Sequence, residues 1–298
     1  LNLDPTYTGV ADLLLGNFAI EAVPEPEPTP EPELQSVLDV LWYGQTPTYN
    51  QNISNLASAA SSYDPWGDGA LDWNLTFWNP DEPTPDFSEY DALVIGSGFT
   101  EHGFEPSRLL NNKEAIDRAR GSRTFLSGQD ADWHYFLNVG PRPDGPFGFL
   151  VNAVNWAGSG TGLGIVSLPD GHWYSGSNWW LHDDSFLKNE LEGKVAYANE
   201  DLVVIPGETS NFPVNEGLTT AGLSNWSVSS HVAFNKDISS YLSINDAGSY
   251  PGWAVTIVTA SEASGGTGGS RQVPEPTTTI ALFGFGSIAL KFLRKRKS

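Results

Sequence analysis

Arg123-Thr124-Phe125-Leu126-Ser127-Gly128-Gln129-Asp130-Ala131-Asp132-Trp133-His134 decides the fold class. Arg123–Leu126 reads as a strand that runs straight into a turn carrying two carboxylates and an imidazole, with Gly128 permitting a tight reversal. The same strand-turn pattern occurs twice upstream. Val37–Tyr43 ends at Gly44-Gln45, and Tyr90–Ile95 leads into Gly96-Ser97-Gly98. Between them, Ile53, Leu56, Ala57 and Ala60 fall at helical spacing and Leu71–Trp78 alternates as a strand does. Pro106 opens a helix carrying Leu109, Leu110, Ile116 and Ala119, which Gly121 closes. Pro146–Trp156 reads as the next helix and Leu163–Leu168 as the next strand. Strands alternating with helices predict an α/β domain, a parallel sheet flanked by helices. After Pro169 the pattern thins, with strands at Leu202–Ile205 and Ala254–Val258 and a loop-rich stretch between them.

The chain has 298 residues, 39% hydrophobic and 12% aromatic, enough for a packed core and too apolar for disorder throughout. It contains no cysteine, which removes disulfides, thiolate metal sites and thiol nucleophiles. Acidic residues outnumber basic ones 36 to 15, for a formal charge of −21. Lys291, Arg294, Lys295, Arg296 and Lys297 cluster at the carboxy terminus, so the rest of the chain is more acidic still. Such a body repels phosphate backbones, and no nucleic-acid partner is expected. The first residue is Leu1, without an initiator methionine, as in a processed chain or a fragment.

Composition divides the chain into five parts. Residues 1–22 form an upstream fragment of unknown affiliation. Residues 23–34 include VPEPEPTPEPE, in which proline fixes φ and the glutamates repel one another, giving a semi-rigid polyproline II spacer. A proline-motif ligand for a partner domain is the other reading, and it lacks the basic flanks. Residues 35–262 are the α/β domain and 263–272 a Gly/Ser/Thr linker. Residues 273–298 read VPEPTTTIALFGFGSIALKFLRKRKS: a Pro-Glu-Pro element, an apolar run and a basic cluster. Thr277–Leu293 reaches the short limit for a transmembrane helix, and the basic end stays cytoplasmic. A buried amphipathic helix is the alternative, but the run has no polar face and contains Gly284 and Gly286.

In its three parts and their order this tail resembles the PEP-CTERM sorting signal, with Val273, Pro274, Glu275 and Pro276 as the name-giving motif. The resemblance implies export, processing by an exosortase-type membrane enzyme, and a transient inner-membrane anchor through the carboxy-terminal helix. It also implies a final place at the cell envelope, outer surface or exterior, with extracellular polysaccharide as a prospective partner. Val23-Pro24-Glu25-Pro26 repeats the letters with no apolar run behind it.

The strand-turns at Gly44, Gly96-Ser97-Gly98 and Thr124–Gln129 resemble the class I glutamine-amidotransferase-like fold, a flavodoxin-like architecture. Members place a cysteine within G-x-C-x-G in the sharp turn and a His-x-Glu later. Here the turn is Leu126-Ser127-Gly128-Gln129-Asp130, and no glutamate follows two residues after His231, so glutaminase chemistry is ruled out. In open parallel sheets ligands bind beyond the strand carboxyl ends, which points to Gln129, Asp130, Asp132 and His134 as ligand-binding residues.

Two readings of that turn stand side by side. A serine hydrolase acting on glycans or esters would use Ser127 as nucleophile, His134 or His231 as base, and Asp130 or Asp132 to orient it. Ser-Gly after a strand is also ordinary turn chemistry, and G-x-S-x-G is absent. If extended, Asp130-x-Asp132-x-His134 would put alternate side chains on one side for a divalent cation, and His182-Asp183-Asp184 offers a second such cluster. Solvated loops and helix caps are the leading reading of both, with Asp183-Asp184-Ser185 capping a helix near Phe186. Trp173, Tyr174, Trp179 and Trp180 suit either stacking on sugar rings or packing. No cofactor is expected, and a binding or structural role at the surface leads over the hydrolase.

Overall fold

A computed structural model describes residues 37–65, 67, 69–79, 81–97, 104–169 and 178–260. The upstream fragment, the proline spacer, the glycine-rich linker and the sorting tail lie outside the described residues, as do Gly98, Trp173 and Tyr174.

The parallel half follows the sequence pattern closely. Strand β1 (Val37–Tyr43) leads into helix α1 (Pro47–Ala60), whose start is fixed by Thr46, which accepts a hydrogen bond from the Tyr49 amide, and by Pro47 in the first turn. Tyr49, Ile53, Leu56, Ala57 and Ala60 form its buried stripe. Strand β2 (Asp72–Trp78) pairs parallel with β1, which pairs on its other edge with β3 (Ala92–Ile95). The helix opened by Pro106 is two short helices, α2 (Ser107–Asn111) and α3 (Lys113–Ala119), meeting at Asn112. Gly121 does not close a helix. Strand β4 begins at Arg120 and runs to Ser127, and a Cβ at Gly121 would lie 1.6 Å from the Thr161 carbonyl oxygen.

Helix α4 (Ala131–Phe136) and helix α5 (Pro146–Gly158) then carry the chain back to β5 (Leu163–Ser167). The SGQDADWH segment is therefore a helix start and not an extended turn. Strand β5 lies between β3 and β4, so the parallel strands run 2-1-3-5-4. The flavodoxin-like order is 2-1-3-4-5, and the fourth and fifth strands are exchanged here.

The sheet is mixed, which corrects the all-parallel expectation. After helix α6 (Lys188–Leu191) come β6 (Val195–Glu200), the short β7 (Val203–Val204), helix α7 (Thr220–Leu223), β8 (Ser230–Asn235), β9 (Tyr241–Ala247) and β10 (Trp253–Thr259). These strands pair antiparallel, and β10 joins them to β4 with Thr256 opposite Ser127. The cause is connection length. Only a few residues separate β9 from its partner β10, too few for the crossover that parallel pairing requires.

Alternate residues of the parallel strands face two apolar layers. Leu38, Val40, Trp42, Val94, Phe125 and Val166 pack with buried residues of α1, α4 and α5. Leu41, Tyr43, Leu93, Ile95, Leu126 and Ile165 pack on the other face with Leu109, Ile116, Trp179, Trp180 and Leu191. Both described tryptophans of the aromatic segment are thus core residues. Helices on both faces of a sheet make an α/β layer protein. Among the described residues no helix is long and apolar enough to cross a membrane.

Candidate functional site

In the order 2-1-3 the chain adds β2 on one side of β1 and β3 on the other, and ligands of open α/β sheets bind beside the carboxyl ends at such a switch point. Gln45 follows β1 and Ser97 follows β3. Helix α4, following β4, brings Asp132 against both. Its Oδ2 accepts from the Tyr49 hydroxyl at 2.5 Å, the Ser97 amide at 2.9 Å and the Ser97 hydroxyl at 3.1 Å. These groups converge over Gly96, where an added Cβ would meet Asp132 Oδ2 and the Tyr49 hydroxyl at 2.4 Å each and Gln45 Nε2 at 3.3 Å. Only a residue without a side chain leaves this space open. Burial raises the Asp132 carboxyl pKa, aided by the Asp130 charge, while the bonds from Tyr49 and Ser97 oppose the rise. Burial, with the Asp132 charge and hydrogen bond, holds the Tyr49 hydroxyl well above its usual range.

Because the segment is helical, Asp130 pairs with His134 four residues on, and Asp132 faces elsewhere. An extended Asp130-Asp132-His134 row would have put all three on one side. His134 Nε2 lies 3.0 Å from Asp130 Oδ1, yet it aligns with the Val228 carbonyl, 3.2 Å away. His231 Nε2 stands 3.9 Å from Asp130 Oδ2, and its Nδ1 is 3.2 Å from Asn199 Oδ1. Burial disfavours the His134 imidazolium, but the adjacent Asp130 carboxylate, aided by the Val228 carbonyl, outweighs it and raises the pKa. Trp226 packs edge-on against the imidazole at 5.5 Å. Asp130, His134, His231 and Trp226, with Trp133 and Leu137, border a depression of about 290 Å³.

The Val228 carbonyl reaches His134 from a backbone that has three left-handed residues, Asn225 (φ 62°), Ser227 (φ 67°) and Val228 (φ 70°). For a β-branched residue this conformation costs on the order of 1–3 kcal/mol. Asp201 holds it there: its Oδ1 accepts from the amides of Val228 at 2.7 Å and Ser229 at 3.0 Å. This loop carries no composition signal of a site. Tyr49, one helical turn beyond Gln45, carries none either.

Ser127 stands apart from both imidazoles. Its hydroxyl lies 3.0 Å from the Thr256 hydroxyl, accepts from the Gln129 amide at 3.1 Å, and is 3.4 Å from the Val255 carbonyl. It is fully buried, and no residue from Ser127 to Asp130 has a positive φ, so the strained nucleophile turn of α/β hydrolases is not formed. Gln129 donates to the Leu223 carbonyl at 3.0 Å.

Several buried polar atoms in this region make no hydrogen bond: Gln45 Nε2, Gln129 Oε1, both Asp130 oxygens, Asp132 Oδ1, His134 Nδ1 and Ser167 Oγ. Buried polar groups are ordinarily paired, and a concentration of exceptions marks a place where water or a ligand completes the bonding. Among the described residues no group of three or more histidines and carboxylates is arranged to hold a metal ion. His182, Asp183 and Asp184 are exposed; Asp184 pairs with Lys113 at 2.9 Å, and Ser185 accepts from the Leu187 amide ahead of α6.

Residues 272–297 match the PEP-CTERM protein-sorting motif, which includes Val273, Pro274, Glu275 and Pro276. The motif marks the chain for exosortase-dependent sorting to the cell envelope, with export and a membrane-anchored stage. No curated protein and no solved structure matches the chain.

Proposed function

We propose that the body, residues 35–262, is a non-catalytic binding or structural domain that the sorting tail delivers to the envelope surface. In this reading residues 263–272 tether it to a transient carboxy-terminal membrane helix, residues 23–34 space it from the upstream segment, and extracellular polysaccharide is its partner. The scaffold is proposed as amidotransferase-like in its strand-turn pattern, although its parallel strand order departs from the flavodoxin-like one.

One observation carries the reading: the Ser127 hydroxyl is engaged by Thr256 and the backbone, and neither imidazole is among its partners. A serine nucleophile needs a base within about 3.2 Å, or one water away. The Asp130–His134 pair by itself has no nucleophile to activate. What it offers, with Gln129 and Asp132, is a set of buried acceptors for a ligand's donors.

The test exposes the full chain, in a zwitterionic detergent, to a fluorophosphonate probe and to 4-nitrophenyl esters and glycosides. The expected result is no covalent adduct at Ser127 and no turnover. An adduct at Ser127, absent from Ser127→Ala and accompanied by ester or glycoside cleavage, overturns the binding reading in favour of the hydrolase.

A further inference from the structure

A second cleft, of about 420 Å³, lies away from Asp130 and His134. Leu71 just before β2, Arg123 early in β4 and Trp156 late in α5 line it, which sets it toward the amino ends of the strands. Its size is within the range of small-molecule sites, about 300–1,000 Å³.

Its chemistry is selective. Asp64, Glu208 and Glu216 line it against one cation, Arg123, whose guanidinium donates to the Trp156 carbonyl at 2.7 Å and lies 5.4 Å from the centre of that ring. Anions are therefore repelled. The wall also presents donors. Tyr63 is 8% exposed, and its hydroxyl makes no hydrogen bond. Burial, with the charges of Glu216 and Asp144, pushes its pKa up to about 12, so it keeps its proton. Asn155 spends its carbonyl oxygen on the Trp73 indole at 2.8 Å, which leaves its Nδ2 as a donor, and Asn211 adds an amide. Phe212, 5.5 Å from Trp156, supplies an apolar face.

Carboxylate acceptors call for a ligand with donors, and the Tyr63 and Asn155 donors call for lone pairs. A polyamine satisfies the first and fails the second, because an ammonium has no lone pair. A hydroxyl does both, and a pyranose adds a C–H face to lie on Phe212. We infer that this cleft is a saccharide site that takes a neutral sugar unit of an oligosaccharide, with Tyr63, Asn155 and Asn211 donating, Glu208 and Glu216 accepting, and Phe212 as platform. The inference rests on the proposed binding role for its choice of partner, but it assigns the partner to a cleft other than the one at the carboxyl ends.

The experiment is saturation-transfer NMR on the full chain in a zwitterionic, sugar-free detergent, with cellobiose, maltotriose and chitobiose as probes and spermidine as the cationic comparison. At least one saccharide is expected to bind, and Tyr63→Phe and Asn211→Ala to weaken it about tenfold each, one lost hydrogen bond at the upper end of its worth. Tyr63→Phe should leave the unfolding midpoint unchanged or raised, since it removes an unpartnered buried hydroxyl. Glu114→Gln, at an exposed position of α3 that lines neither the cleft nor the carboxyl-end depression, should leave saccharide binding unchanged. Binding lost in Asp130→Asn and kept in Tyr63→Phe would move the partner to the carboxyl ends, overturning the cleft and sparing the binding role. Binding of spermidine with none of the saccharides would overturn the ligand class.

Discussion

Strand β4 has an ionic cluster at either end, half-buried at its start and buried beyond its end. At its start, the Arg120 guanidinium forms two parallel bonds to Glu190, at 2.6 and 3.0 Å, and donates to the Tyr241 hydroxyl at 3.1 Å, while that hydroxyl donates to Glu190. Beyond its end, Asp130 keeps both oxygens without a hydrogen bond, and Asp132 keeps one. The first cluster ties β4, α6 and β9 together with its polar atoms satisfied, and its role is structural. The second leaves carboxylate oxygens out of hydrogen-bond alignment with the imidazoles beside them, and it keeps a strained loop nearby. Stability alone would not retain that arrangement, so the difference separates a staple from the proposed site.

The largest effect expected is at the staple. Glu190→Ala should destabilise the domain by about 3 kcal/mol, because it leaves the largely buried Arg120 unpaired; urea unfolding measures this, and a loss under about 1 kcal/mol would erase the contrast. Next comes Ser127→Ala, expected to cost about 1 kcal/mol through the bonds to Thr256 and Gln129, with no change in any binding activity. A binding defect without a stability loss would return Ser127 to the site.

The pH dependence sharpens the comparison by its sign. Burial opposes ionisation of Glu190, but the bonds and charge of Arg120 and the Tyr241 bond outweigh it and hold the pKa below its ordinary 4.5. That stability is present above pH 4.5 and lost as the pH falls through the lowered value. Asp132 and His134 have raised values, so their contributions are complete below 3.8 and 6.5, respectively, and lost as the pH rises through the raised ones. Unfolding followed upward from about pH 4.5 should show stability falling with pH, with a shallower slope in Asp132→Asn over the range in which its carboxyl ionises. The smallest effect is local: in Asp130→Asn, NMR titration should find the His134 pKa lowered, whereas an unchanged value would mean that the carboxylate does not set it.

These clusters also show what the sequence could reveal. The parallel strands were legible because all-apolar runs such as Ala92–Ile95 end at glycine turns, and α1 because its buried stripe repeats at helical spacing. Strands β8 and β9 were not, since Ser230, His231, Asn245 and Asp246 interrupt the pattern. Asn245 is buried against the Asn215 side chain, a partner thirty residues away in the chain, which no local periodicity reports. Asp130, Asp132 and His134 were visible as a polar group after a strand. Their geometry was not, because period two and period 3.6 pair different members of the same segment. Tyr49 and Val228 reach the site through tertiary packing alone.

The claim that the carboxyl-end cluster is held at a cost to stability is tested most directly by comparing two isosteric substitutions. Unfolding free energies of Asp132→Asn and Glu190→Gln would be measured at a pH near 8 against the native chain. Opposite signs are expected: Asp132→Asn more stable, because it removes a carboxylate that burial makes costly to ionise, and Glu190→Gln less stable, because it removes the counter-charge of Arg120. A loss of stability in both would contradict the claim, making Asp132 one more structural staple.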